Sequence, residues 1–155
     1  MRIVLVEPEI PGNTGSIARV CAGTNTPLHL VGKLGFSLED RYLRRAGLDY
    51  WPNVQLTRNE TLDDVFRQFP CANFWLFTTK TKRPYWDVSY SVGDLLVFGK
   101  ETAGLPEELL RRFPEHCVTI PMTDDIRSLN LANAASIGLY EGLRQTGGIP
   151  PKRSV

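Results

Sequence analysis

The chain has 155 residues, room for one domain with a real core and too little for two. Its 42% apolar and 23% charged residues fit a globular protein, and no apolar run approaches a membrane span. A net charge of +1 excludes a chain that is basic throughout, so any nucleic-acid contact must rest on local patches.

The first residues move straight into an apolar strand, residues 2–7, without a signal-peptide design. The segment 8–15 reads as a loop, and a helix follows with an apolar stripe at Ile17, Val20, Cys21 and Thr24. Residues 28–31 form a second short strand, ended by Gly32. Ser37 with Asp40 resembles a capping box for a short helix stopped at Gly47. A third strand is expected at 54–56, and Thr61 with Asp64 caps a helix running through Phe69. Residues 74–77 and 94–98 are the fourth and fifth strands. Pro106 opens a helix, 118–120 is the sixth strand, and a last helix follows Asn130.

Apolar strands alternating with helices predict one α/β domain with a mostly parallel sheet covered on both faces. The domain should span 1–155, with a core over 2–145 and a Gly/Pro/basic tail at 146–155. Cys21, Cys71 and Cys117 are odd in number, widely spaced and set in apolar stretches. They predict neither a disulfide framework nor a zinc site, and point to a reducing cytoplasm. His29 and His116 stand apart, and no metal is expected.

Ligands of such sheets bind beyond the carboxyl ends of the strands. Four loops lie there: 8–15, 78–86, 99–106 and 121–130. The first lacks the full Gly-x-Gly-x-x-Gly pattern and has Lys33 after the second strand, which disfavours a dinucleotide. No Gly-Lys-Ser/Thr follows, so it is not a P-loop either. It does offer Asn13 as a helix cap and Arg19 further along the helix. Gly99 and Gly104 let a chain or a flat ligand approach closely. Ser128 and Asn130 precede a last helix crowded with Ala132, Ala134, Ala135, Ser136, Gly138 and Gly142, a composition suited to packing against another helix. Lys80, Lys82 and Arg83 lie among Tyr85 and Trp86, a mixture suited to phosphate contact and base stacking. Arg41, Arg44 and Arg45 form a second basic cluster.

Three motifs come in order: Asn13-x-Gly15-x-x-x-Arg19, then Gly99-x-Glu101-x-x-Gly104-Leu105-Pro106, then Ile120-Pro121-Met122 with Ser128-Leu129-Asn130-Leu131. Together they resemble those of the SpoU branch of SPOUT RNA methyltransferases, over nearly the whole chain. The stretches Glu-Pro-Glu-Ile-Pro-Gly-Asn-Thr-Gly and Arg-Arg-Ala-Gly-Leu-Asp-Tyr are most similar to its smallest members, the TrmL (YibK-like) tRNA wobble-nucleotide 2′-O-methyltransferases. The resemblance implies a deep C-terminal trefoil knot and a pocket for S-adenosylmethionine. The cofactor positions it implies are Phe77, Thr78, Gly99, Glu101, Ile120, Ser128 and Leu129. It assigns catalysis to Arg19, with Asn13, Ser128 and Asn130 beside it and Tyr140 orienting substrate. Arginine is a poor proton acceptor, so Arg19 is expected to position phosphate and favour the emerging alkoxide.

The resemblance further implies cytidine or modified uridine at tRNA position 34 as substrate, with leucine isoacceptors as the expected tRNAs. It implies a homodimer joined through the small-residue face of the last helix. The RNA would lie on Lys80, Lys82 and Arg83 and on Arg41, Arg44 and Arg45. Lys100 stands where the family often has a small residue or proline; it is expected to face solvent or RNA, away from a sulfonium. Two other classes fit an α/β chain of this kind: a nucleotide-dependent oxidoreductase and a non-catalytic RNA-binding knot protein.

Overall fold

The computed structural model describes residues 1–39 and 51–148. Its strands are β1 (Arg2–Val6), β2 (Leu28–Val31), β3 (Leu56–Asn59), β4 (Phe74–Phe77), β5 (Leu95–Phe98) and β6 (Cys117–Val118). Its helices are α1 (Pro11–Thr24), α2 (Leu62–Gln68), α3 (Glu107–Arg112) and α4 (Leu131–Thr146). The strands form one parallel sheet in the order β3-β2-β1-β5-β4-β6. In register, Ile3 lies between Leu28 and Leu96, and Leu5 between Leu30 and Phe98.

Side chains alternate across the sheet and build two cores, which is why the strands read as unbroken apolar runs. On one face Ile3, Leu5, Leu96 and Phe98 pack with Ile17 and Cys21 of α1 and Leu139 and Leu143 of α4. On the other, Val4, Leu76, Leu95 and Val97 pack with Val65 of α2 and Leu110 of α3. Each fully buried leucine contributes about 1.5–3 kcal/mol.

Several element boundaries differ from expectation, each for a local reason. The first helix begins at Pro11 rather than after Gly15. Proline at the first position is pre-set for a helix, while Gly12, Asn13 and Gly15 made the segment read as loop. Ile10, not Asn13, occupies the N-cap. Residues 51–53 fold as a 3-10 turn, which moves the third strand from 54–56 to Leu56–Asn59. The sixth strand is only Cys117–Val118, because Thr119 instead exchanges backbone bonds with Arg83 and Tyr85 in the loop after β4. The Thr61–Asp64 capping box forms as expected. The expected helix from Ser37 to Gly47 and the arginines Arg41, Arg44 and Arg45 lie largely or wholly outside the described residues, as does most of the tail.

The glycines of α4 serve this chain's own sheet. A Cβ at Gly138 would stand 2.6 Å from the Phe77 ring, and one at Gly142 would stand 2.8 Å from Met1 Sδ. Phe77 and Phe98 stack at 4.5 Å beneath this helix, and α1 packs alongside it. These two glycines therefore make room for aromatic rings and a methionine of this chain. Cys21 and Cys117 are buried, but Cys71 is exposed, contrary to its apolar sequence neighbourhood. Burial pushes the Cys21 thiol up to about 12. His29 is buried in the core and bonded to Asn59, and His116 stacks on Phe74.

Candidate active site

The strand ends deliver four loops to one rim. Beyond Phe77 and Phe98 opens a cavity of about 530 Å³, within the range of small-molecule sites. All seven expected cofactor positions line it: Phe77, Thr78, Gly99, Glu101, Ile120, Ser128 and Leu129. Asn13, Asn130 and Lys80 line it as well. Arg19 and Tyr140 do not; both are exposed, on α1 and α4.

The loop 99–105 is built around Gly99. A Cβ there would stand 2.0 Å from the Gly104 carbonyl carbon, so the chain folds back at backbone contact. Gly104, at a φ of 68°, completes the turn, and its N–H donates to Lys100 O at 2.9 Å. The loop is then fastened to the end of β1. Lys100 Nζ meets Glu7 Oε2 at 2.8 Å. Glu9 Oε2 accepts from the Thr102 hydroxyl at 2.7 Å and from its N–H at 3.1 Å. These two bonds hold the Glu9 carboxyl below its ordinary range.

Glu101 completes the fastening. Its carboxylate accepts from the N–H groups of Glu9 and Ile10, at 2.8 and 3.1 Å, and from Asn13 Nδ2 at 3.0 Å. It thus holds the residues that lead into α1 and the Asn13 side chain of its first turn, while the backbone N–H groups of Asn13 and Thr14 bond Ile10 O. Asn13 Oδ1 in turn accepts from Asn130 Nδ2 at 2.9 Å. Asn130 caps α4, its Oδ1 accepting from Ala132 N at 2.8 Å and Asn133 N at 3.3 Å. The chain Glu101–Asn13–Asn130 therefore joins the three sequence motifs through hydrogen bonds. Asn13 was expected as a helix cap and instead is the middle of this relay.

The remaining wall, 121–130, is exposed along most of its length. Arg127 within it lines the cavity and was missed in the sequence, although it immediately precedes Ser128 in a loop already marked as part of the site. Lys100 does not simply face solvent: it lines the cavity and its ammonium is held by Glu7. The basic segment is also less free than its composition suggests. Lys80 pairs with Glu107 at 2.7 Å and Arg83 donates to Glu115 O at 2.7 Å, while Lys82 is exposed and Trp86 half exposed. Among the described residues no group of three His, Cys, Asp or Glu side chains could hold a metal ion. No described helix is long and apolar enough to cross a membrane.

The residues present suit a ligand with a flat apolar part and polar edges. Phe77, Ile120, Leu129, Leu131 and Ala134 give apolar surface, while loop backbone, Thr78 and Ser128 can meet polar atoms. Fold and cavity together define an α/β protein with a cavity of small-molecule size where the loops of a parallel sheet converge. Residues 1–140 match the SpoU rRNA Methylase family, and the chain belongs to it. A tRNA (cytidine(34)-2′-O)-methyltransferase of Methylovorus glucosotrophus is 48% identical over 144 residues, 92% of this chain and 94% of that protein. A solved structure concerned with 2-OH methylation of C/U34 on tRNA superimposes with a TM-score of 0.87 at 43% identity, covering 93% of this chain and 94% of the other. The SpoU methyltransferase AviRb of Streptomyces viridochromogenes, in complex with the cofactor AdoMet, superimposes with a TM-score of 0.80 at 27% identity. That match covers 94% of this chain and 57% of AviRb.

Proposed function

We propose that this protein transfers a methyl group from S-adenosylmethionine to the ribose 2′-oxygen of the wobble nucleotide of tRNA, cytidine or modified uridine at position 34. The observation that carries this reading is the convergence of three motifs, distant in the chain, on one cavity, tied by the Glu101–Asn13–Asn130 relay. When bound, the cofactor would supply a methyl group carried on a sulfonium sulfur: the carbon–sulfur pair would stay with sulfur as a neutral thioether, and the 2′-hydroxyl proton would pass to solvent. Phe77, Ile120 and Leu129 enclose the flat base and exclude water, and backbone groups of the loops bond its edge. Ser128 and the Asn13–Asn130 pair stand on the same cavity and orient the sugar hydroxyl. No metal takes part.

Arg19 and Tyr140 are the two expected catalytic residues that do not line this chain's own cavity. We infer that the protein acts as a homodimer with a knotted C-terminal half, by family resemblance, and that the second copy completes the RNA site. In that site Arg19 positions phosphate and favours the alkoxide, and Tyr140 orients the substrate. Arg19→Lys tests the guanidinium's part: near-wild-type turnover would remove any need for its planar fork. The tRNA lies on Lys80, Lys82 and Arg83 with Trp86, and on Arg41, Arg44 and Arg45, in the cytoplasm; leucine isoacceptors are the expected substrates.

Thermal shift with S-adenosylmethionine, S-adenosylhomocysteine and NAD(P) tests the cofactor class. Stabilisation by the two adenosyl compounds alone is expected; stabilisation by NAD(P) alone would favour an oxidoreductase. Transfer of labelled methyl to bulk tRNA then separates the enzyme from a silent RNA-binding protein.

A further inference from the structure

Among the described residues four ionisable side chains line the cavity: Lys80, Lys100, Glu101 and Arg127. Three are cations and one is a carboxylate, Glu101, held by two backbone N–H groups and by Asn13, so the lining carries an excess of positive charge. Left so, the cavity would repel a positively charged ligand. Both lysines are instead met by carboxylates that do not line the cavity: Lys80 by Glu107 and Lys100 by Glu7. The two pairs differ. Lys80 and Glu107 are open to solvent, with side chains 50% and 73% exposed, so water already screens that charge. Lys100 and Glu7 are more sheltered, at 33% and 45%.

The second pair is also built into the backbone. Lys100 follows Gly99, is held by the Gly104 N–H, and so has a fixed root at the cavity wall. Glu7 leaves β1 at a φ of 49°, a left-handed conformation that non-glycine residues seldom adopt. Its N–H donates to Val31 O at 2.8 Å, and Gly32 leaves space for it: a Cβ there would stand 3.0 Å from Glu7 Cγ. The next carboxylate along, Glu9, is taken by Thr102. Among the described residues Glu7 is the carboxylate bonded to the Lys100 ammonium, while Glu9 adds only an unbonded attraction.

We propose that Glu7 is a specificity-determining countercharge, which lets a sulfonium cofactor share the cavity with Lys100 and sets the balance between sulfonium donor and thioether product. This rests on the proposed function, since it takes S-adenosylmethionine as the ligand. The donor and product differ by one positive charge on sulfur, so an unpaired Lys100 acts on one and not on the other. Two unit charges about 4–6 Å apart in a well-hydrated site interact by about 0.7–1 kcal/mol, about three- to fivefold in binding.

The test is calorimetric titration of S-adenosylmethionine and S-adenosylhomocysteine into the full chain and its variants. Glu7→Gln keeps the side chain's shape and is expected to weaken the sulfonium ligand by about fivefold and the thioether by less than twofold. Adding Lys100→Met to Glu7→Gln should restore the wild-type ratio of the two affinities. The discrimination in Glu7→Gln should also shrink near 1 M salt, where the screening length is about 3 Å. An unchanged ratio in Glu7→Gln, or equal loss of both ligands, would overturn the proposal. A wild-type chain that binds neither compound would instead bring down the functional reading beneath it.

Discussion

The two long walls of the cavity are made in opposite ways. The wall from Gly99 to Leu105 folds back on itself at backbone contact and is fastened to the end of β1 by Glu7, Glu9 and Glu101. The wall from 121 to 130 is exposed over most of its length, and among the described residues Asn130 ties its far end to Asn13. A wall fixed before ligand arrives would suit the proposed cofactor, because little ordering cost remains. A wall pinned at one end suits a large substrate that must enter and leave.

Breaking the fixed wall should have the largest effect. Gly99→Ala drives a methyl group into the Gly104 backbone, which has no flexible end to yield. Denaturant unfolding should show a loss of about 3 kcal/mol or more, with loss of S-adenosylmethionine binding. Retained binding at wild-type stability would mean the turn is not required. Cutting the link between the walls comes next. Asn13→Ala leaves Glu101 and Asn130 without their shared partner and should lower methyl transfer at least about tenfold, with a stability loss of about 1–3 kcal/mol. The adaptable wall should respond least. Ile126 is 55% exposed there, and Ile126→Ser should change unfolding free energy by less than about 0.5 kcal/mol.

A control lies away from both walls. Burial lowers the pKa of His29 from its ordinary value of about 6.5, so the folded chain binds fewer protons there than the unfolded one. Its stabilising share is present above about pH 6.5 and is lost as pH falls through the depressed folded value. Unfolding midpoints from about pH 7.5 to 5 should decline, and His29→Gln should flatten that part of the curve. An unaltered slope in the variant would show that other groups carry it.

The sheet was readable in the chain because buried parallel strands are apolar on both faces, so 28–31 and 74–77 stand out as continuous runs. Boundaries were less so. Gly12, Asn13 and Gly15 are poor helix formers, yet they begin α1 because Pro11 starts the turn and Glu101, far along the chain, accepts from the N–H groups of Glu9 and Ile10 and from Asn13. That seven chain-distant positions would line one cavity was legible through the ordered motifs and the family resemblance. What hid was pairing: the meeting of Lys100 with Glu7 depends on a left-handed residue at a strand end, which no local pattern announces. Likewise Gly138 and Gly142 signalled close approach without saying to what, and the answer, Phe77 and Met1, lies in distant elements.

The most direct measurement is to incubate the chain with methyl-labelled S-adenosylmethionine and tRNA, digest the RNA, and locate the label by mass spectrometry. The account predicts one labelled nucleoside, a 2′-O-methylated residue at position 34. Label on a base or at another position, or none from a chain that binds the cofactor, would contradict it.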